Sequence, residues 1–174
     1  MRARLIALPL LLVAITALTP RPALAGPSDP GPAAAVPLVA LWTLPLPAAQ
    51  VTRPFQAPAN PFAAGHRGVD LSGAQQTQVL TAGDGVVVFA GMVAGRPVIS
   101  IDHADGLRTT YEPVDPSVAA GTRVTRGSPI GTLATGHAGC PVSACLHWGL
   151  RRGATYLDPM ILLRPPDVRL LPVG

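Results

Sequence analysis

Between residues 51 and 165 glycine or proline interrupts the chain at short intervals, and this spacing limits what the chain can fold into. Glycine costs roughly 1 kcal/mol and proline about 3 kcal/mol inside a helix, so long helices do not survive such interruption. With 21 prolines, 18 glycines and only 13% charged residues, short strands joined by turns are the favoured alternative. Residues 86–90, 98–101 and 107–111 have strand-like apolar, β-branched and aromatic content and no helical period. Between the last two, Asp102-His103-Ala104-Asp105-Gly106 has the Asp/Gly chemistry of a hairpin turn. Residues 121–131 space glycines with apolar side chains, as tight bends between short strands require. Asp158-Pro159 opens a closing helical turn with proline at its first position. The prediction is one all-β domain over 51–165, built on an antiparallel sheet. A 174-residue chain with 48% hydrophobic residues supplies a core for one such domain.

The flanks read differently. Residues 1–25 have a positive start (Arg2, Arg4), an apolar run and Ala23-Leu24-Ala25 as a small-residue cleavage site, so they are expected to be a secretory signal peptide. Residues 26–50 are a Pro/Ala-rich linker whose apolar end, 36–46 with Trp42, is expected to dock on the domain; 166–174 are an irregular tail. The expected location is secreted or in the cell envelope, with no stable membrane span once the signal is cleaved. All 13 basic residues are arginine, and Arg2, Arg4 and Arg21 account for most of the formal net charge of +4. No basic stripe with interleaved aromatics remains, so no nucleic-acid partner is expected. In an oxidising compartment Cys140 and Cys145 are expected to pair, subject to a Cα separation that sequence does not show.

The chemistry-bearing residues fall in two places. His66 and Asp70 are four residues apart, ~13 Å on a straight strand and too far for one metal ion. Gly65, Gly68 and Gly73 with Val69 argue against a helix, so a bend at Gly68 is inferred, with Asp70 on a strand and His66 just before it. Such a pair is also ordinary turn chemistry. Further on, strand alternation puts Cys145 and His147 on one face and Leu146 and Trp148 on the other.

Taken together, these residues resemble the lysostaphin-type (LytM-type) zinc metallopeptidases, secreted enzymes that cut peptide cross-links in bacterial cell-wall peptidoglycan. His66-Arg67-Gly68-Val69-Asp70 stands where that family has His-x-Gly-x-Asp, and Cys145-Leu146-His147 where it has His-x-His. Ala82-Gly83-Asp84-Gly85-Val86-Val87, the stretch 102–111, and 121–131 followed by Thr135-Gly136 are similar too, so the likeness covers roughly 53–163. It implies an antiparallel β-sheet core of the duplicated hybrid motif type with a zinc groove on one face. By the same resemblance His66, Asp70 and His147 are zinc ligands, with a fourth position left for water. Peptidoglycan is the implied partner.

The departures lie among the residues that handle protons. The family's two auxiliary histidines are here Cys145 and Pro113, and Glu112 is offset by one position, on the opposite face of a regular strand unless a bulge redirects it. Losing one proton-transfer group typically costs ~100- to 10,000-fold in rate. A free Cys145 thiolate could close the metal site as a fourth ligand; a Cys145 paired with Cys140 could do neither job. His103 is read as a turn residue and His137 as a loop residue, either becoming a replacement base only by approaching the groove. Two functions follow: an exported zinc metalloendopeptidase of reduced or specialised activity on peptidoglycan, or a non-catalytic module of the same fold that binds cell wall or regulates another cell-wall hydrolase. A biotinyl-lipoyl carrier is excluded because the chain has no lysine.

Overall fold

The computed structural model describes residues 41–60 and 62–164. The expected signal peptide, residues 26–40 and the tail lie outside the described residues. The strands are β1 (Val51–Arg53), β2 (Gly68–Gly73), β3 (Gln78–Leu80), β4 (Gly85–Val93), β5 (Arg96–Asp102), β6 (Leu107–Glu112), β7 (Val114–Pro116), β8 (Arg123–Val124), β9 (Pro129–Leu133), β10 (Ala144–Arg152) and β11 (Thr155–Leu157). An eight-stranded sheet runs β1-β2-β10-β6-β5-β4-β8, with β11 also on β10, and a three-stranded sheet runs β3-β9-β7. Every strand pairing among the described residues is antiparallel, so the fold is the all-β one expected.

The turns explain where strands stop. β4 continues to Val93, past the expected end at residue 90, because Ala94 (φ 48°) and Gly95 (φ 81°) form a two-residue turn pairing Val93 with Arg96. The β5–β6 connection is the predicted Asp/Gly turn, a 3-10 turn at Ala104–Gly106 with Asp105 and Gly106 both at positive φ. At the far end Asp158 accepts a hydrogen bond from the Met160 amide (2.9 Å) and starts the 3-10 helix Pro159–Leu163.

Period-two alternation separates the large sheet into two faces. Val69, Trp148, Tyr111 and Ile99 are mutual neighbours across β2, β10, β6 and β5, and all four are buried. They share one core with Val79, Val114, Ile130 and Leu133 of the smaller sheet. Fully burying each such side chain contributes about 1.5–3 kcal/mol. The next row, Asp70–His147–Glu112, therefore falls on the other face.

Packing begins ahead of the expected boundary at residue 51. Leu46 is 2% exposed within the core, and Trp42 and Leu44 pack against it. Thr43 N donates to Ala82 O (2.8 Å), and Leu80 N donates to Pro45 O (2.9 Å). An uncharged, proline-rich extended segment lays its apolar side chains on a sheet without burying an unpaired charge, which is why it docks. Among the described residues no helix is long and apolar enough to cross a membrane.

Candidate metal centre

His66 sits where the chain enters β2. Its backbone pairs with Gln56 through two hydrogen bonds, His66 N to Gln56 O (2.8 Å) and Gln56 N to His66 O (3.0 Å). This holds the residue in place just before the strand, as the Gly68 bend required. Asp70 lies within β2 and His147 directly opposite it on β10. Gly68 makes room for the pair, because a Cβ there would stand 2.4 Å from Trp148 O and 2.7 Å from His147 Nε2.

Three donor atoms converge. Asp70 Oδ1 is 2.9 Å from both His66 Nε2 and His147 Nδ1, and the two ring nitrogens are 3.1 Å apart. His66 and Asp70 are buried, and the His147 side chain is 20% exposed. The His66 ring is fixed from behind: its Nδ1 lies 2.7 Å from Pro54 O, and since a carbonyl only accepts, Nδ1–H donates there. In a neutral ring Nε2 then presents a lone pair to a carboxylate oxygen. That contact is repulsive unless a proton or a cation lies between, so the donor set fits a metal ion. Burial alone would raise the Asp70 carboxyl, but the contacts of His137 and His147 and the charges of His137 and His66 outweigh it. They hold Asp70 well below the usual carboxylate range, ionised at neutral pH.

The other expected residues are placed as follows. Cys140 and Cys145 form a disulfide with a Cα–Cα separation of 5.6 Å. Cys145 therefore offers no thiolate and no proton to the site. Glu112 is across from His147 in the strand register, yet its carboxylate is ion-paired with Arg96, and Pro113 has no titratable group. His103 is structural: its Nδ1–H donates to Asp84 O (2.7 Å), its Nε2 meets Thr109 Oγ1 (2.6 Å), and Trp42 packs edge-on against it. A cavity of about 600 Å³ beside Trp42, His103 and Leu162 contains none of the three converging donors.

His137, which the sequence marks as a loop residue that matters only if it approaches the groove, does approach it. It does lie in a loop, but the loop folds back over the site, so that its Nε2 is 3.0 Å from Asp70 Oδ2 and its ring stacks on His147 with centroids 5.9 Å apart. The one signal in the sequence was its position three residues before a cysteine whose partner lies beside His147.

A family model described as "Peptidase family M23" matches residues 64–159. The uncharacterized protein Rv2891 of Mycobacterium tuberculosis is 48% identical over 137 residues, which is 76% of this chain and 55% of that protein. The chain thus spans about half the length of this relative. Among solved structures, a zinc containing peptidase from Vibrio cholerae has a TM-score of 0.58 at 24% identity, covering 71% of this chain and 40% of that one. The SpoIIQ-SpoIIIAH pore forming complex has a TM-score of 0.60 at 21% identity over 73% of this chain and 94% of the other. Lysostaphin in solution has a TM-score of 0.53 at 26% identity over 66% of this chain and 50% of the other.

Proposed function

This chain belongs to peptidase family M23, and from that premise we propose that it is an exported, zinc-binding metalloendopeptidase-like domain acting on the cross-linking peptides of bacterial peptidoglycan. The observation that carries the reading is the convergence of His66 Nε2, Asp70 Oδ1 and His147 Nδ1 to within 3.1 Å of one another. Two imidazoles and one carboxylate are a catalytic-type zinc set, which keeps a coordination position open. Zinc held there would lower the pKa of a bound water and polarise a peptide carbonyl.

The chain's own residues do the positioning. Pro54 O fixes the His66 tautomer, β2 and β10 set Asp70 against His147, and the opposite-face row through Trp148 and Tyr111 anchors both strands in the core. A paired Cys145, Pro113 and an Arg96-bound Glu112 leave the row beside the donors without an evident proton carrier. This favours reduced or specialised activity, because one missing carrier costs ~100- to 10,000-fold. The signal-like N-terminus and the disulfide support an extracytoplasmic location.

The same locked Cys145 favours a second reading: a non-catalytic module of this fold that binds cell wall or regulates another wall hydrolase. Likeness to the SpoIIQ-SpoIIIAH complex, in which the fold takes part in a protein assembly, is in line with it. Digestion of purified peptidoglycan, with new amino termini counted, separates the two. The endopeptidase reading expects zinc-dependent release that is absent from Asp70→Ala; no zinc-dependent release from several wall types would leave the module. Zinc content itself is expected to fall in His147→Ala and Asp70→Ala, and unchanged content would sink the ligand assignment.

A further inference from the structure

Asp70 turns one oxygen, Oδ1, toward His66 and His147. Its other oxygen, Oδ2, faces His137 Nε2 at 3.0 Å. Asp70 is 3% exposed, and a buried carboxyl oxygen needs a hydrogen-bonding partner. His137 Nε2 is likewise buried and makes no regular hydrogen bond among the described residues, although it stands 3.0 Å from that oxygen. Imidazole rings turn about a soft terminal torsion, so a contact at this distance is within reach of a hydrogen bond.

The loop carrying His137 is shaped to bring it there. Gly136 (φ 105°) and Gly139 (φ 78°) flank it in conformations that favour glycine, and a turn follows at 138–139. Cys140 then ties the loop to Cys145 on β10, two residues from His147. Among the described residues the loop is also held by Ala134 N donating to Pro113 O (3.1 Å), Ser143 Oγ donating to Gly73 O (3.3 Å) and the stacking of His137 on His147.

We propose that His137 is a positioning residue of the metal centre, held by the Cys140–Cys145 disulfide so that it binds Asp70 Oδ2 and fixes that carboxylate as a single-oxygen ligand. The inference rests on the reading of His66, Asp70 and His147 as a zinc site. Its consequence is that the disulfide and the metal are coupled through one imidazole: removing either His137 or the tether loosens Asp70. Outer partners of metal ligands are worth about 10–100-fold in metal affinity, so an effect of that size is expected.

The test is the Zn²⁺ dissociation constant of the full chain, measured at fixed pH by competition with a chromophoric chelator. His137→Ala should weaken binding about 10–100-fold, and His137→Gln, whose amide nitrogen reaches a similar position, should recover most of the loss. Cys140→Ser/Cys145→Ser, used in place of a reductant so that no free thiol competes for zinc, should weaken binding to a similar degree. Adding His137→Ala to that double variant should cost little more, since both changes remove the same contact. Wild-type affinity in His137→Ala overturns the inference, as do fully additive losses in the triple variant. A Co²⁺ visible spectrum altered by His137→Ala and not rescued by glutamine also overturns it, in favour of direct ligation. Asp70→Ala separates this failure from that of the premise: if wild type binds no zinc, or binds it as well without Asp70, the zinc reading itself falls. Circular dichroism of each variant checks that it has folded.

Discussion

At the scale of single residues, the site depends on one small side chain as much as on its donors. Gly68 lies under His147, and any Cβ there would collide with Trp148 O and the imidazole. Forcing a methyl into such a place costs about 1–3 kcal/mol, and here the part able to move is the ring that carries a donor. Gly68→Ala is therefore expected to lose zinc affinity while staying folded, with a melting temperature lowered by several degrees; calorimetry alongside zinc titration would check both. His66 and Asp70 were legible as a pair because glycine between them allowed a bend. The Pro54 carbonyl behind His66 was not legible, since a backbone acceptor twelve residues away leaves no mark in side-chain chemistry.

At the scale of elements, β10 joins everything. It pairs with β2, β6 and β11, places Leu146, Trp148 and Leu150 in the core, and offers His147 to the other face. Trp148→Ala should cost about 3–5 kcal/mol, read as a lower denaturation midpoint, because it empties the centre of the row from Val69 to Ile99. The disulfide at the start of β10 closes a loop with a sequence separation of five. Loop-closure entropy for so short a span gives about 2 kcal/mol, so Cys140→Ser/Cys145→Ser should lower stability by roughly that amount in urea with little change of slope. A larger loss would mean that the bridge also holds native packing together. Alternation in the sequence foretold which residues of this strand share a face, and the apolar residues Trp42, Leu44 and Leu46 dock as their composition led one to expect. That packing starts before residue 51 was not legible, since proline-rich composition describes a linker and a packed extended segment equally well.

At the scale of the whole molecule, stability at high pH should be governed by one group. The chain has no lysine, both cysteines are in the disulfide, and of its two tyrosines Tyr156 is 37% exposed whereas Tyr111 is fully buried. Burial pushes the Tyr111 hydroxyl up, only partly offset by the hydrogen bonds it receives from Ala82 N and Thr109 Oγ1. A folded pKa above the unfolded one means that the unfolded chain loses its proton first. Stability is then full below pH ~10 and falls as pH rises through the folded value. Unfolding free energy should accordingly drop above pH ~10. Tyr111→Phe should flatten that drop while costing about 1–3 kcal/mol at neutral pH, because it leaves the Ala82 amide unpaired. A wild-type curve that stays flat up to the titration of arginine would contradict this.

The sequence by itself determined the all-β character, the family and the order of His66, Asp70 and His147, because glycine and proline spacing, period-two alternation and short motifs are local properties of a chain. Tertiary structure alone decided that Asp70 and His147 are opposite one another, that Glu112 is taken by Arg96, and that His137 folds onto Asp70. Each of these depends on strand register or on the path of a loop, and both are fixed by contacts between residues far apart in the chain.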